Sequence, residues 1–332
     1  MKRLVILAPN WLGDAVMALP AIADVRRASP SAAIAVAARP AIAPLFSMVP
    51  GIDDTIVLQP PAAVGRVKGW RSMGAELAGR SFDTALLLPN SMHAALIASR
   101  AGIPERWGYR SAWRGRLLTR AVRRPSRVHQ AEYYQHLVGA LGFPNGPIEP
   151  AIAVPAAARE AAARILRTAG WDGTTPLIAL APGAAYGGAK RWPPAYFAEL
   201  ASLLEGDGVA SVLVGSSADA PTAIEIKREF PSVLDIVGQT DLPALAGVMT
   251  ICRGLVTNDS GAMHLAAAAG ASVTAVFGPT NETATRPLGD AHVVLTNPVW
   301  CRPCMLRECP IDHRCLTGIG AARVAEAARR TL

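Results

Sequence analysis

Short apolar strands alternate with helical segments in two successive series, and this alternation limits the folds open to the chain more than any other feature. In the first series the predicted strands are residues 3–8, 33–38, 55–58 and 83–89. In the second series they are residues 176–182, 210–215, 254–257, 272–278 and 292–296. Strands that alternate with helices indicate parallel sheets covered by helices. We therefore predict an α/β protein with two doubly wound parallel-sheet domains that face one cleft.

A proline-rich segment separates the two series. Residues 144–155 contain four prolines, a composition typical of a connection between domains. We place the first domain at residues 1–155, with the linker starting at about 144, and the second domain at residues 156–332.

The start of the chain resembles a signal peptide only in part. Basic residues precede an apolar run of about five residues, which Asn10, Gly13 and Asp14 interrupt. A cleavable signal needs roughly 7–15 unbroken apolar residues, and a membrane span needs roughly 18–20. The sequence meets neither requirement, so we predict a cytoplasmic protein.

Small and polar residues collect after the predicted strands. In open α/β sheets, ligands bind outside the carboxyl ends of the strands. Six such clusters follow predicted strands, at residues 9–20, 89–91, 182–192, 215–219, 257–264 and 277–283. One loop of this kind could reflect turn chemistry alone, whereas six at the same edge indicate a ligand cleft.

The segment TNDSGAMH, residues 257–264, is suited to two roles. Asp259 or Ser260 is a favourable N-cap for the helix that follows. Small residues, Gly261 among them, also let an anion approach the backbone amides and the positive end of the helix. His264 lies on the first turn and faces the same opening. We expect capping and anion binding together.

The loop PGAAYGGAKRW, residues 182–192, combines open backbone with cations. Lys190 is suited to phosphate as a mobile point charge. The glycines are not followed by G-K-[ST], which disfavours a P-loop hydrolase. No G-x-G-x-x-G follows the first strand, which disfavours a dehydrogenase.

Basic residues are concentrated between Arg106 and Arg127. This stretch holds eight arginines and no acid, and Trp107, Tyr109 and Trp113 are interleaved with them. A solvated basic face is one interpretation. An unbalanced run with aromatic residues also suits an anionic partner, such as nucleic acid, an acidic membrane surface or a phosphorylated glycolipid. We expect a functional surface.

Several motifs, taken in order, resemble those of glycosyltransferase family 9, the ADP-heptose:lipopolysaccharide heptosyltransferases, and most of all its heptosyltransferase II branch. They are NWLGDAVMALPAI, LPNS, AGIPERWGYR, PGAAYGGAKRWP, TNDSGAMHLAAAAG and FGPTNETATRP. The resemblance covers nearly the whole chain. It implies a GT-B fold with two Rossmann-like domains, of which the first binds the acceptor and the second the nucleotide sugar. It also allows the last helix, at about residues 320–330, to pack back on the first domain.

The resemblance implies an inverting transferase that moves L-glycero-D-manno-heptose from ADP-heptose to a heptose of the lipopolysaccharide inner core. Its partners would be ADP-heptose, a lipid A–core glycolipid and the anionic inner-membrane surface, with no nucleic acid. The enzyme would be peripheral to the cytoplasmic face of that membrane. Another acceptor stays open, either the Kdo residue or a protein. A GT-B-fold nucleotide-sugar epimerase and a non-catalytic nucleotide-sugar-binding module stay open as well.

The same resemblance assigns roles to single residues. Asp14 would be the catalytic general base, with helix capping as its alternative role, and Lys190 would bind the donor diphosphate. Since the chain has no Asp-x-Asp pair, Lys190 and the amides of residues 260–262 would stabilise the leaving group without a divalent metal. Asp219 and Glu225 are candidates for contact with the ribose hydroxyls. The predicted donor-binding residues are Gly183, Ala184, Lys190, Asp219, Asp259, Ser260, Gly261, His264, Gly278, Pro279 and Thr280. The predicted acceptor-binding residues are Asn10, Trp11, Gly13, Asn90, Ser91, Arg110 and Arg120.

Four cysteines lie close together in the last part of the sequence. Cys301, Cys304, Cys309 and Cys315 are separated by two, four and five residues. In a cytosolic protein this spacing indicates a tetrahedral metal site more than disulfides. A structural zinc or iron ion is one interpretation, and reduced thiols or opportunistic disulfides are the others. Cys252 stands alone and is expected to pack in the core.

Overall fold

The computed structural model describes residues 1–59 and 73–330. The chain divides into two compact units, Met1–Pro150 and Ala151–Leu332. The division lies inside the proline-rich segment 144–155, which contains neither helix nor strand.

In the residues that the structure describes, unit 1 is a six-stranded parallel sheet flanked by helices. Its strands are β1 (Arg3–Leu7), β2 (Ala33–Ala38), β3 (Asp54–Val57), β4 (Thr84–Leu87), β5 (Glu105–Tyr109) and β6 (Arg120–Val122). Its helices are α1 (Leu12–Met17), α2 (Leu19–Ala28), α3 (73–78), α4 (Met92–Arg100) and α5 (Gln130–Ala140). Short 3₁₀ segments occupy Ala43–Met48 and Ala112–Leu117. The strand order is β3-β2-β1-β4-β5-β6, and the pairings are parallel.

Unit 2 repeats this architecture over its described residues, 151–330. Its strands are β7 (Leu177–Ala181), β8 (Ala210–Leu213), β9 (Leu234–Asp235), β10 (Gly254–Asn258), β11 (Ser272–Phe277) and β12 (His292–Thr296). Its longer helices are α6 (Ala156–Thr168), α7 (Pro194–Gly206), α8 (Ala220–Glu229), α9 (Leu242–Ile251), α10 (Gly261–Ala268) and α13 (Ala321–Arg329). Two single-turn helices are α11 (Glu282–Thr285) and α12 (Arg314–Thr317). The strand order is β12-β11-β10-β7-β8-β9, again with parallel pairings.

Both sheets have the strand order of a Rossmann domain. Counted from the first strand of each unit, the order is 3-2-1-4-5-6. It reverses between β1 and β4 in unit 1, and between β7 and β10 in unit 2. Ligands of such sheets bind at this switch point, outside the carboxyl ends of the strands. The predicted fold class, α/β with two Rossmann-like doubly wound domains, is confirmed.

Continuous apolar runs explain why β7 lies at the centre of the second sheet. Ile178 and Leu180 face an apolar cluster that contains α7 and α13, whereas Leu177 and Ala179 face one that contains α6 and α9. A parallel sheet covered by helices on both faces needs such two-sided burial. Since α13 packs against α7, β10 and β11, it is part of the core of unit 2. A crossing of the last helix onto the first domain stays a prediction.

Two local differences from the predicted elements have simple causes. The run of small and apolar residues after β1 would suit one continuous helix, but the helix is divided at Ala18, because Pro20 has no N–H to donate to the carbonyl of Val16. The arginine-rich segment contains β5 and β6. These strands could not be predicted from the sequence, because the many charged residues interrupt any apolar pattern. Arg106 stabilises the start of β5 by donating to the carbonyl oxygens of Ile103 (2.6 Å) and Leu117 (2.7 Å). None of the described helices is long and apolar enough to span a membrane.

Candidate functional site

One buried asparagine fastens both ends of the loop that follows β7. Asn258, the last residue of β10, donates from Nδ2 to the carbonyl oxygens of Pro182 (2.7 Å) and Gly183 (3.3 Å). Its Oδ1 accepts the backbone N–H of Trp192 at 3.0 Å. The side chain of Trp192 is fully buried. These bonds place residues 183–191 at the switch point of unit 2, and they make Trp192 a core residue.

Lys190 and Asp259 form a nearly buried ion pair at this switch point. Lys190 Nζ lies 2.5 Å from Asp259 Oδ2, and the two side chains are 13% and 7% exposed. The hydroxyl of Thr280 donates to the same carboxylate oxygen at 2.7 Å. The ring centroid of Tyr186 lies 4.8 Å from Nζ. Whereas the sequence predicts a mobile point charge, the structure holds this ammonium group in place with a carboxylate and an aromatic ring.

The start of α10 lies directly after this ion pair in the chain. Ser260 occupies the N-cap position, but its side chain makes no capping bond, and its Oγ lies 3.1 Å from Thr257 Oγ1. The predicted capping by Asp259 or Ser260 is therefore wrong, because Lys190 and Thr280 engage the Asp259 carboxylate instead. The positive end of the helix remains suited to an anion.

Asp219 packs between the loops that follow β7 and β8. Its Oδ2 accepts hydrogen bonds from the backbone N–H (2.9 Å) and the hydroxyl (2.8 Å) of Ser216. A Cβ at Gly183 would lie 2.3 Å from Asp219 Oδ1, and one at Gly215 would lie 2.9 Å from Oδ2. A side chain at either position would therefore displace the Asp219 carboxylate from its bonds to Ser216. The predicted contact of Asp219 with a ribose hydroxyl stays a prediction.

Arg302 organises the loop that follows β11. Its guanidinium donates to the carbonyl oxygens of Gly278 (3.0 Å) and Thr280 (3.2 Å), and pairs with Glu282 at 2.7 Å. Only 12% of this arginine side chain is exposed. Arg302 therefore holds Thr280 in place, and Thr280 in turn donates to Asp259 of the ion pair.

Arg307 and Glu308, a few residues after Arg302, hold the loop that follows β7. Glu308 accepts the backbone N–H of Gly188 at 3.0 Å, and the carbonyl of Arg307 accepts the N–H of Ala189 at 2.9 Å. Gly187 has a φ of 155°, and a Cβ there would lie 2.3 Å from the Arg307 carbonyl oxygen. Residues 302–308 therefore bind both loops that flank the ion pair.

The four clustered cysteines line one small cavity of about 20 Å³, and Arg302 and Ala189 line it as well. All five cysteines are free thiols. Burial raises the pKa of Cys315, and Cys301, Cys309 and Cys304 raise it further. Among the residues that the structure describes, no group of three or more His, Cys, Asp or Glu side chains could hold a metal ion. The described residues therefore give no support to the predicted zinc or iron site, which stays a prediction. Cys252 is buried in the core, as predicted, and burial raises its pKa to about 12.

Asp14 lies at the switch point of unit 1. It occupies the first turn of α1, whose N-cap position is Trp11, and it is half-buried. Burial raises the pKa of Tyr134 on α5, and the charge of Asp14 raises it further, so the two groups are near each other. Asn10 and Trp11 are exposed on the loop that leads into α1, and Gly13 is half-buried.

The end of β4 leads into two of the predicted acceptor-binding residues. Asn90 Nδ2 donates to the Tyr133 hydroxyl at 2.7 Å. Ser91 caps α4, since its Oγ accepts the backbone N–H of Ala94 at 3.2 Å.

Part of the arginine-rich segment is buried. Trp107 and Tyr109 are core residues of β5, and Arg114 is 1% exposed. Of the three aromatic residues interleaved with the arginines, Trp113 is exposed, and the Arg116 guanidinium lies 4.6 Å from its ring centroid. The expectation of an aromatic basic surface is wrong for Trp107 and Tyr109, because they alternate into the sheet core.

The family model described as glycosyltransferase family 9 (heptosyltransferase) matches residues 70–314. The chain belongs to glycosyltransferase family 9. It is 30% identical over 302 residues to lipopolysaccharide heptosyltransferase 2 of Salmonella typhimurium, covering 86% of this chain and 85% of that protein. It is 31% identical over 312 residues to lipooligosaccharide heptosyltransferase 2 of Haemophilus influenzae, covering 88% of each. Among solved structures, E. coli ADP-heptose lps heptosyltransferase II is similar, with 29% identity, a TM-score of 0.84, and coverage of 100% of this chain and 98% of that one.

In this family 9 glycosyltransferase, the predicted donor-binding residues collect at the carboxyl ends of β7, β8, β10 and β11. Asp259 is in direct contact with both Lys190 and Thr280. The others lie in the loops or the helix start at the same strand ends: Gly183, Ala184, Asp219, Ser260, Gly261, His264, Gly278 and Pro279. His264 is buried on the first turn of α10. Contact of these residues with a donor stays a prediction.

Three residues that hold the donor-side loops of this glycosyltransferase were missed from the sequence. Asn258 belongs to the TNDSG motif, and its signal is a polar residue at the buried end of an apolar strand. Arg302 and Glu308 lie among the clustered cysteines. The local sequence does not indicate that Glu308 binds the loop that follows β7, more than a hundred residues earlier. Nor does it indicate that Arg302 binds the loop that follows β11.

Proposed function

We propose that this glycosyltransferase is an inverting heptosyltransferase, which moves L-glycero-D-manno-heptose from ADP-heptose to a heptose of the lipopolysaccharide inner core. The main support is the likeness to two proteins named heptosyltransferase 2, at 30% and 31% identity over 86% and 88% of this chain. The ion pair beside the start of α10 adds to it, because a fixed cation and a helix N-terminus both suit a diphosphate. In this proposal unit 2 binds the donor and unit 1 binds the acceptor.

Asp14 is the general base of the proposed reaction. The acceptor oxygen attacks the anomeric carbon of the heptose from the face opposite ADP. The bond from that carbon to the diphosphate oxygen breaks, and its electron pair leaves with ADP. The proton of the acceptor hydroxyl moves to the Asp14 carboxylate. The position of Asp14 at a switch point supports this role, because the ligand of a Rossmann-like sheet lies there.

Lys190 and the start of α10 stabilise the ADP leaving group. Negative charge grows on the diphosphate as the glycosidic bond breaks. Asp259 and Thr280 already hold the Lys190 ammonium in place, so little reorganisation is needed at that moment. These groups supply the positive field for which other glycosyltransferases use a divalent ion, and we propose that transfer needs none. Turnover should therefore persist in EDTA, whereas loss that magnesium or manganese restores would contradict the metal-free scheme.

The proposed acceptor is a lipid A–core glycolipid at the anionic cytoplasmic face of the inner membrane. Six arginines of the 106–127 segment are exposed. They are Arg110, Arg116, Arg120, Arg123, Arg124 and Arg127. A basic side chain contributes about 1 kcal/mol of binding free energy near an anionic membrane surface. Peripheral attachment through these residues would present the glycolipid to unit 1.

Mass spectrometry of reaction products tests the proposal. The purified chain is incubated with ADP-heptose and truncated core acceptors that end in heptose or in Kdo. We expect the heptose-terminated acceptor to gain one heptose for each ADP released. Gain by the Kdo-terminated acceptor alone, or by an added protein, would replace the proposed acceptor. An isomerised sugar still attached to ADP would indicate an epimerase, and binding without turnover would indicate a non-catalytic module.

A further inference from the structure

The nearly buried ion pair at the switch point of unit 2 supplies no net charge. The Lys190 ammonium is offset by the Asp259 carboxylate at 2.5 Å. Asp219, which packs between the loops that follow β7 and β8, adds a second carboxylate, and it forms no salt bridge with a described residue. The start of α10 contributes about half an elementary charge. A polyanion such as a diphosphate therefore needs a further cation at these strand ends.

Arg307 places a second cation at the aromatic ring that Lys190 contacts. The Arg307 guanidinium carbon lies 5.3 Å from the ring centroid of Tyr186, and Lys190 Nζ lies 4.8 Å from the same centroid. The Tyr186 hydroxyl donates to the Met305 carbonyl at 2.9 Å, which ties the ring to the segment that carries Arg307. One side chain therefore brings the two cations to the same place.

The backbone of Arg307 is fixed to the loop that follows β7. Its carbonyl accepts the N–H of Ala189, the residue before Lys190, at 2.9 Å. A Cβ at Gly187 would lie 3.0 Å from the Arg307 Cβ, so the two chain segments are in direct contact. The Arg307 side chain therefore starts at a fixed point beside the loop that carries Lys190.

The guanidinium group of Arg307 has no acidic partner among the described residues. Its side chain is exposed, and it forms no salt bridge with an acid in residues 1–59 and 73–330. The adjacent Glu308 is engaged elsewhere, because its carboxylate accepts the backbone N–H of Gly188 at 3.0 Å. A planar guanidinium that no carboxylate occupies is suited to bidentate binding of a phosphate.

We propose that Arg307 binds the diphosphate of the nucleotide sugar as a second cation beside Lys190. The inference rests on the proposed function, because it assigns Arg307 to the ADP leaving group of the heptose transfer. As the bond from the anomeric carbon to the diphosphate oxygen breaks, its electron pair stays on that oxygen, and Arg307 offsets the added negative charge. Whereas Asp259 balances Lys190, no carboxylate offsets the charge that Arg307 supplies.

Calorimetric titration of the whole chain with ADP tests the role of Arg307. Arg307→Gln should weaken ADP binding roughly tenfold or more, the usual worth of a hydrogen bond to a charged group. Arg307→Lys keeps the charge and should recover part of the loss. Arg191→Gln is the matched control, because Arg191 is an exposed arginine that directly follows Lys190 in the chain. This control should leave ADP binding nearly unchanged.

Three further measurements separate direct binding from distortion of the loop. Added salt should weaken ADP binding less steeply in Arg307→Gln than in the wild type, because one charged contact is missing. Urea unfolding should be unchanged, since the Arg307 side chain is exposed. With ADP-heptose and a heptose-terminated acceptor, Arg307→Gln should lower kcat as well as donor affinity, because charge grows on the leaving group in the transition state.

Four results would overturn the inference: wild-type ADP affinity in Arg307→Gln, an equal loss in Arg191→Gln, no recovery in Arg307→Lys, or a loss with unchanged salt dependence. Its failure differs from failure of the proposed function. If ADP binding depends on Arg307 as expected but no heptose is transferred, the proposed function fails alone. If heptose is transferred while Arg307→Gln binds ADP and turns over like the wild type, the inference fails alone. If the wild-type chain does not bind ADP, both fail.

Discussion

Replacing Lys190 by methionine keeps the aliphatic stem and removes the charge from the site proposed for the diphosphate. It leaves the Asp259 carboxylate, which is 7% exposed, without its cation. Breaking a buried ion pair by removing one partner costs about 3–5 kcal/mol of folding free energy. Because Thr280 still donates to Asp259 at 2.7 Å, we expect the lower end of that range, about 3 kcal/mol. The same substitution should weaken ADP binding by roughly 1.5–3 kcal/mol, the worth of a hydrogen bond to a charged group.

A double variant separates these two effects. Lys190→Met combined with Asp259→Asn removes both charges, so neither is left buried alone, and most of the lost stability should return. ADP affinity should stay as low as in the single variant, because the cation that binds the diphosphate is still missing. Lys227→Met is the matched control, since Lys227 is an exposed lysine on α8.

Urea unfolding measures the stability changes, and calorimetric titration with ADP measures the binding changes. Wild-type ADP affinity in the double variant would show that Lys190→Met acted by distorting the loop, and would refute direct contact between Lys190 and the diphosphate. Unchanged stability in the single variant would refute the energetic role of the nearly buried pair.

Asp14→Asn should lower the transfer rate by a factor of about 10²–10⁴, which is the usual contribution of a general base. The affinity for ADP should be nearly unchanged. Near-normal turnover in an initial-rate assay would exclude Asp14 as the base. Three exposed arginines of the 106–127 segment should hold the chain at an anionic membrane electrostatically, so replacing them with glutamate should release it from anionic vesicles at physiological salt. The three arginines are Arg116, Arg120 and Arg127. Unchanged co-sedimentation of the folded variant with the vesicles would contradict this. The N–H of Ile34 holds the pKa of Asp53 below its ordinary value, with Arg26 adding to this and burial opposing it. A lowered carboxyl pKa stabilises the fold above the unfolded pKa, and this is lost as the pH falls through the folded pKa. Asp53→Asn should therefore cost less than about 1 kcal/mol at neutral pH, and urea unfolding should show the difference vanish in acid.

The fold was predictable because its main signal is local. Apolar runs such as residues 177–181 are buried on both faces, and this pattern requires helices on each side of a sheet. β6 could not be predicted in this way, because its three residues begin with an exposed arginine and carry no apolar run. Its pairing with β5 depends on contacts outside the segment, which local patterns do not contain.

The candidate site was predictable in its parts but not in its pairings. The motifs that contain Lys190 and Asp259 both follow strands, so the parallel sheet brings them to one edge. The contact between these two side chains depends on β7 lying beside β10, a consequence of the crossover that reverses the strand order. Support by Arg302 depends on the path of residues 301–315. The spacing of the thiols predicts a metal site there, but it contains no signal for the contacts of this segment with the loops that follow β7 and β11.

The anomeric configuration of the product tests the central claim most directly. The purified chain is supplied with ADP-heptose and a heptose-terminated core acceptor, and NMR of the isolated product measures the one-bond carbon–hydrogen coupling at the new linkage. A single displacement with Asp14 as base predicts one acceptor-linked heptose whose configuration is opposite to that in the donor. A linkage of retained configuration, or heptose released without attachment to the acceptor, would contradict inverting transfer.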